Sequence, residues 1–196
     1  MNKVIADILK AKIEDLDFVD KIAGLVSPVY VDITDENNTR VQKCYPVSCT
    51  TTAQDCKQGA YNDLCPDSKY KTVIYFEDRG VSYDRREGKF IYYRSNLRLV
   101  CWINAVKLEG DWCADGNECS FAADMIKDIV CALPEFPENI SPFVRVMPVV
   151  TSQEIRSNAI FSAYTYNEKQ VQYLMYPYDY FALDITTEFA VCQNCT

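Results

Sequence analysis

The sequence predicts a single α+β domain, a mostly antiparallel sheet packed by an N-terminal helix and a central helix, with a Cys-rich loop and a long hairpin. Three observations predict it. A chain of 196 residues holds one substantial hydrophobic core and is short for two, so residues 1–196 are read as one domain. Hydrophobic residues at 48% and charged residues at 24% match globular proteins and not disordered ones. The elements run helix, several strands, helix, then strands, without the βαβ rhythm of a parallel sheet.

Residues 3–26 read as helix, either one broken helix or two short ones. Val4, Ile5, Ile8, Leu9, Ile13 and Leu16 lie on one side, largely opposite Lys10, Lys12, Glu14 and Asp15. Asp17 would cap a second set of turns bearing Phe18, Val19, Ile22, Leu25 and Val26, which Ser27 and Pro28 end. Val29, Val31 and Ile33 then alternate, and Asp35, Glu36, Asn37 and Asn38 supply turn chemistry before Val41–Val47, so this stretch reads as a hairpin.

A polar Cys-rich loop over 44–69 follows as an insertion. Thr72–Glu77, rich in β-branched and aromatic residues, opens an extended hairpin over 72–93. Its connection, Asp78–Gly88, mixes Arg79, Arg85 and Arg86 with Asp84 and Glu87, so it reads as a solvated loop without chemistry. Lys89–Leu108 is a long strand in which Leu97, Leu99, Cys101 and Ile103 alternate with Arg98, Val100, Trp102 and Asn104.

Ser120 caps a helix with Phe121, Met125 and Ile129 beside Ala122, Ile126, Val130 and Leu133, and Pro134 and Pro137 stop it. Strands are expected at Phe143–Val150 and Ala159–Tyr166, while Glu168–Met175 fits a short helix and a strand equally well. The closing segment is clear: Phe181, Leu183, Ile185, Phe189 and Val191 alternate with Ala182, Asp184, Thr186, Glu188 and Ala190, the pattern of a half-buried strand.

Composition narrows the chemistry. The chain has no histidine, which removes the usual general base near neutral pH, the Ser-His and Cys-His pairs and the commonest metal ligand. Its six glycines form no phosphate-cradling loop. Asp32, Asp35 and Glu36 coincide with a turn, where acidic residues are expected without a cation. A net charge of −8 repels phosphate backbones and disfavours sequence-specific nucleic-acid binding. No window approaches the roughly 20 apolar residues of a membrane-spanning helix. Charges interrupt the N-terminal MNKVIADILKAKIEDLD, unlike a signal peptide, so synthesis in the cytosol is expected. The expectation is a structural subunit and not an enzyme.

Ten cysteines are the unusual feature. Cys44, Cys49, Cys56 and Cys65 could hold a tetrahedral zinc, be stapled as disulfides, or remain free thiols. Their gaps of four, six and eight residues are wider than structural zinc sites favour, so no cofactor is favoured, structural zinc being the one possibility. Cys101 and Cys131 sit in apolar patterns and read as small core residues. Cys113 and Cys119 flank Asp115-Gly116, and the terminal pair Cys192 and Cys195 lacks the βα context of a thioredoxin site.

The leading amphipathic helix, the sheet interrupted by a helix at Ser120–Leu133, and the closing YPYDYFALDITTEFAV at 176–191 resemble the tail-terminator-like neck proteins of tailed bacteriophages. The Tyr-rich stretch is similar to those of phages infecting Bacteroidota, including the crAss-like group. The resemblance implies a virion protein, assembled in the host bacterial cytoplasm and repeated as a homo-oligomeric ring of the neck or tail. Its partners would be portal, adaptor or tail proteins, with DNA passing through the lumen, no membrane and no catalytic residues. On this reading Tyr176, Tyr178, Tyr180 and Phe181 form the assembly interface. The Cys-rich loop and the long hairpin depart from the compact family pattern. The alternative is a cysteine-stapled binding or adhesin module.

Overall fold

The computed structural model describes residues 1–34, 38–112, 121–133, 138–141, 144–146 and 148–192. The amphipathic N-terminus forms helix α1, Asn2–Ile13, which buries Ile5, Ala6, Leu9 and Ile13. The helix ends there, and the expected second helical stretch is instead the start of strand β1, Lys21–Thr34. The reason is tertiary. Thr72 Oγ1 donates to Phe18 O at 2.8 Å, and Lys71 N donates to Asp20 Oδ2 at 2.8 Å. These bonds tie the chain to the start of the next long strand. Residues 21–26 pair there in parallel, and Gly24 adds a poor helix former to a stretch already recruited by a strand.

Strand β1 turns back into β2, Arg40–Ser48, with the register running from Val26↔Ser48 to Thr34↔Arg40. The hairpin is the expected one, although three of its four turn residues, Asp35, Glu36 and Asn37, lie outside the described residues. The polar insertion carries two short helical elements. Helix α2, Ala53–Lys57, is closed by a Thr52–Asp55 capping box, and a 3-10 turn follows at Ala60–Asn62.

Strands β3, Thr72–Glu87, and β4, Phe90–Asn104, pair along their whole length. The stretch read as a solvated loop, 78–88, is therefore strand up to Glu87. Bulges between Asp78 and Val81, and between Tyr83 and Arg85, shift its phase and hide the alternation. Gly80 sits in the first bulge with φ 91°, a conformation open to glycine at little strain. Helix α3, Ala105–Trp112, follows directly where a continuing strand was expected.

Helix α4, Phe121–Ala132, is the expected central helix, and its cap Ser120 and the stops Pro134 and Pro137 lie outside the described residues. Strands β5, Glu138–Ser141, and β6, Val144–Val146, form a small separate pair, and β7 is Pro148–Glu154. The strand expected at 159–166 is absent. Helix α5, Ser157–Ile160, and a turn at Phe161 replace it, since Ile160 and Phe161 are both buried and successive strand residues would face opposite ways. The ambiguous 168–175 stretch opens as helix α6, Glu168–Gln172, capped by Asn167 and Gln170. Strand β8, Tyr178–Cys192, pairs with β4 on one side and β7 on the other.

The result is an α+β fold. A six-stranded sheet in the order β2-β1-β3-β4-β8-β7 is antiparallel except at β1–β3. Helices α1, α3 and α4 cover one face through Leu9, Leu108, Met125 and Ile129, which pack on Phe76, Leu99, Leu183 and Ile185. The other face carries an aromatic strap over 160–178 in place of long helices. Phe161, Tyr166 and Tyr173 cover Tyr75, Val100 and Trp102 there. Both faces of the sheet centre are thus dry, which is why β4 reads as apolar on both sides at its end.

Candidate interaction surface

Polar bonds anchor the strap across the sheet. Trp102 Nε1 donates to Tyr173 O at 2.6 Å, Thr165 N to Cys44 O at 2.9 Å, and Tyr164 OH to Glu77 Oε1 at 2.8 Å. Arg79 holds the other oxygen of Glu77 at 2.8 Å, so this largely buried carboxylate is compensated. Burial raises the hydroxyl pKa of Tyr75, Tyr164 and Tyr166. These tyrosines stay neutral and serve as packing with a polar tip.

The Tyr-rich stretch divides. Tyr176 is 93% exposed and follows the exposed Met175. Tyr178 stacks on Trp102 at 5.3 Å, and Tyr180 meets Phe161 edge-on at 5.5 Å, so both are partly buried in the strap. Phe181 is 0% exposed in the helix-covered core. As interface residues, Tyr178 and Tyr180 are available only at their edges and Phe181 not at all. Alternation along β8 turns Phe181 inward, and the strap shields its neighbours.

A different surface lies where the sequence suggested solvated loop. Beyond α1, strands β3, β4 and β8 continue as a three-stranded arm. On the face continuous with the helix-covered core, Val81, Tyr83, Ile91, Tyr93, Phe189 and Val191 sit side by side. Register pairs Tyr83 with Tyr93, Tyr93 with Phe189, and Ile91 with Val191. The rings pack at 6.3 and 5.5 Å. Tyr83 is 64% exposed, Val81 49% and Val191 42%.

The arm's other face is charged. Arg85 contacts Asp84, Glu87 and Glu188 and lies over the Tyr92 ring at 4.1 Å, while Arg94 reaches Asp84 at 2.8 Å. Nearer the strap, Arg98 makes a two-pronged bond to Asp184 at 2.6 and 3.0 Å, which together with Ser152 holds that carboxyl below its ordinary range. The arm thus has one charged side and one largely apolar side, to whose rim register adds the exposed Arg86 opposite Ile91. Alternation of Tyr83 with Val81, and of Tyr93 with Ile91, was the available signal.

The four loop cysteines are not one set. Cys44 lies within β2 and is buried, because the strand runs on to Ser48 and the loop starts only after it. Cys65 is buried in the strap-covered core, which pushes its thiol up to about 12. Cys49 is exposed, 3.4 Å from Ser27 Oγ. Cys56 is half-buried. All six cysteines with a described environment are free thiols. Among the described residues no three Cys, Asp or Glu side chains converge as a metal-ligand group. Cys101 is core as expected, whereas Cys131 lies on the solvent side of α4. Cys113, Cys119 and Cys195, and the side chain of Cys192, lie outside the described residues. Among the described residues no helix is long and apolar enough to cross a membrane. No protein-family model matches this sequence, and no curated protein is detectably similar to it.

Proposed function

We propose that this chain is a non-enzymatic structural subunit that associates with copies of itself, as a ring component in the neck or tail of a tailed phage. The observation that carries self-association is the bare apolar side of the β3–β4–β8 arm around Tyr83, Val81 and Val191. Contiguous apolar surface on a soluble monomer is unusual and commonly marks a binding face. Val81, Tyr83 and Val191 are set in a paired sheet, so little ordering entropy opposes their burial against a neighbour. Tyr176 and Met175 offer a second exposed apolar site at the far end of β8. Two unlike sticky ends suit a head-to-tail contact, which closes into a ring when the rotation permits. The placement in a phage neck or tail, beside portal, adaptor or tail proteins in the virion, rests on the resemblance in the element order and the closing segment 176–191. The non-enzymatic reading is supported by the lack of histidine and by tyrosines held neutral in a packed strap.

The test is the mass of the assembled species, by light scattering and native mass spectrometry, for wild type, Tyr83→Asp and Tyr176→Asp. A closed oligomer that dissociates in Tyr83→Asp, with its circular dichroism unchanged, is the expected result. A wild type that stays monomeric as concentration rises would overturn the proposal.

A further inference from the structure

Two tyrosines where the strap meets the sheet bury a hydroxyl without a partner. Tyr75 is 1% exposed in β3 and Tyr166 is 7% exposed in the strap, and neither hydroxyl makes a hydrogen bond among the described residues. Buried hydroxyls in native proteins nearly always have a partner, because the bonds they lose to solvent on folding must be replaced.

Both orphans belong to one polar cluster in an otherwise aromatic layer. Tyr75 and Glu77 are two residues apart on β3 and so share a face. Tyr164 meets the Tyr75 ring edge-on at 6.2 Å, stacks on Tyr166 at 6.0 Å, and donates its own hydroxyl to Glu77 Oε1 at 2.8 Å. Arg79 donates to Glu77 Oε2, which leaves each carboxylate oxygen a further lone pair. Burial raises the Tyr75 hydroxyl pKa most, and the hydroxyls of Tyr166 and Tyr164 and the Glu77 carboxylate add to it. For Tyr166 burial again comes first and the Cys65 thiol next, with Tyr75 and Glu77 also acting on it. Each orphan hydroxyl therefore senses the other and the same carboxylate.

We propose that one internal water is bound between the hydroxyls of Tyr75 and Tyr166, beside Glu77, and fastens the strap to β3. It accepts from both hydroxyls through its two lone pairs and donates to the carboxylate, about the three bonds a buried water typically makes. Two donors facing one acceptor call for a ligand that both accepts and donates. A direct bond between the tyrosines would use one hydroxyl proton and leave the other unplaced, and an anion in that position would meet the charge of Glu77. The inference is independent of self-association, since the cluster shares no residue with the apolar side of the arm.

The experiment compares the full wild-type chain with Tyr75→Phe, Tyr166→Phe and the double variant, in which only the hydroxyl oxygens are lost. Oxygen-17 relaxation dispersion of the solvent counts long-lived internal waters, and urea unfolding followed by circular dichroism reads stability. Wild type is expected to hold one more long-lived water than the double variant. Each single variant is expected to shift the folding equilibrium toward the unfolded chain by about fivefold, the net loss of one hydrogen bond. Single variants as stable as wild type, or more stable, overturn the proposal, because removing a hydroxyl that has no partner relieves its desolvation cost. An equal water count in wild type and the double variant overturns it as well, and together with destabilised single variants would assign a direct bond between the two tyrosines.

Discussion

Replacing Ile185 with Asp tests the buried face of β8 most directly. Ile185 is 1% exposed in β8, opposite Leu97 on one side and Val150 on the other, under the helix-covered face. Truncation to Ala removes a fully buried branched side chain and leaves a cavity, a loss of about 2–5 kcal/mol. Asp adds a carboxyl to that loss. The nearest cation along the strand pair, Arg98, points to the opposite face and is held by Asp184, so the new group has no partner. An uncompensated polar group in an apolar site adds about 1–3 kcal/mol even when it takes up a proton. Together these amount to about 3–8 kcal/mol, enough to consume the stability of a domain at the lower end of the usual 5–15 kcal/mol.

Glu188→Lys, three residues along on the charged face, provides the contrast. It breaks the contact of Glu188 with Arg85 at 2.6 Å, but the Glu188 side chain is 39% exposed, and such pairs contribute about 0–1 kcal/mol. Urea unfolding followed by circular dichroism should therefore rank wild type, Glu188→Lys, Ile185→Ala and Ile185→Asp in falling stability, the last with little soluble protein. Equal midpoints for Ile185→Asp and Glu188→Lys would refute the buried-face assignment.

Three further outcomes are expected. Trp102→Phe removes the donor to Tyr173 O and should destabilise the chain by about 1–3 kcal/mol, with proteolysis starting within 160–178; cleavage elsewhere first would show that the strap does not depend on this bond. Asp184→Asn should be less stable than wild type at neutral pH by about 1 kcal/mol, the half-open site tempering the loss. Because the folded-state pKa of Asp184 is depressed, its contribution is present above the unfolded value near ~3.9 and is lost as pH falls through the folded value, so the two stability curves should converge in acid; parallel curves would contradict the Arg98 pairing. Thiol labelling mapped by mass spectrometry should modify Cys49 well before Cys65 and Cys101, whose burial raises their pKa; early labelling of Cys65 would place it outside the core.

Much of the fold was legible wherever one period ran undisturbed. The stripe of Ile5, Leu9 and Ile13 identified α1, and the alternation from Phe181 to Phe189 identified β8 and its buried face. The capping pair Asn167 and Gln170 was also present in the sequence and would have decided 168–172 in favour of helix. The arm was obscured because two bulges each add a residue and reverse which face later side chains occupy. Its charges then resembled a solvated loop, although strand pairing sends Arg85 and Tyr83 to opposite sides.

By itself the sequence determined the α+β class, the leading and central helices, the closing strand and the absence of histidine chemistry, since these rest on local periodicity and composition. Only the tertiary structure decided that 21–26 is strand, that Tyr178 and Tyr180 are taken up by the strap while Tyr83 is bare, and that Cys44 and Cys65 are buried in the core while Cys49 faces solvent. Those outcomes depend on contacts between residues far apart in the chain. Thr72 recruits the segment after Phe18 into a parallel pair, and the strap takes up Tyr178 and Tyr180. A sequence period reports which side of its own element a residue occupies, and only long-range packing settles what lies against that side.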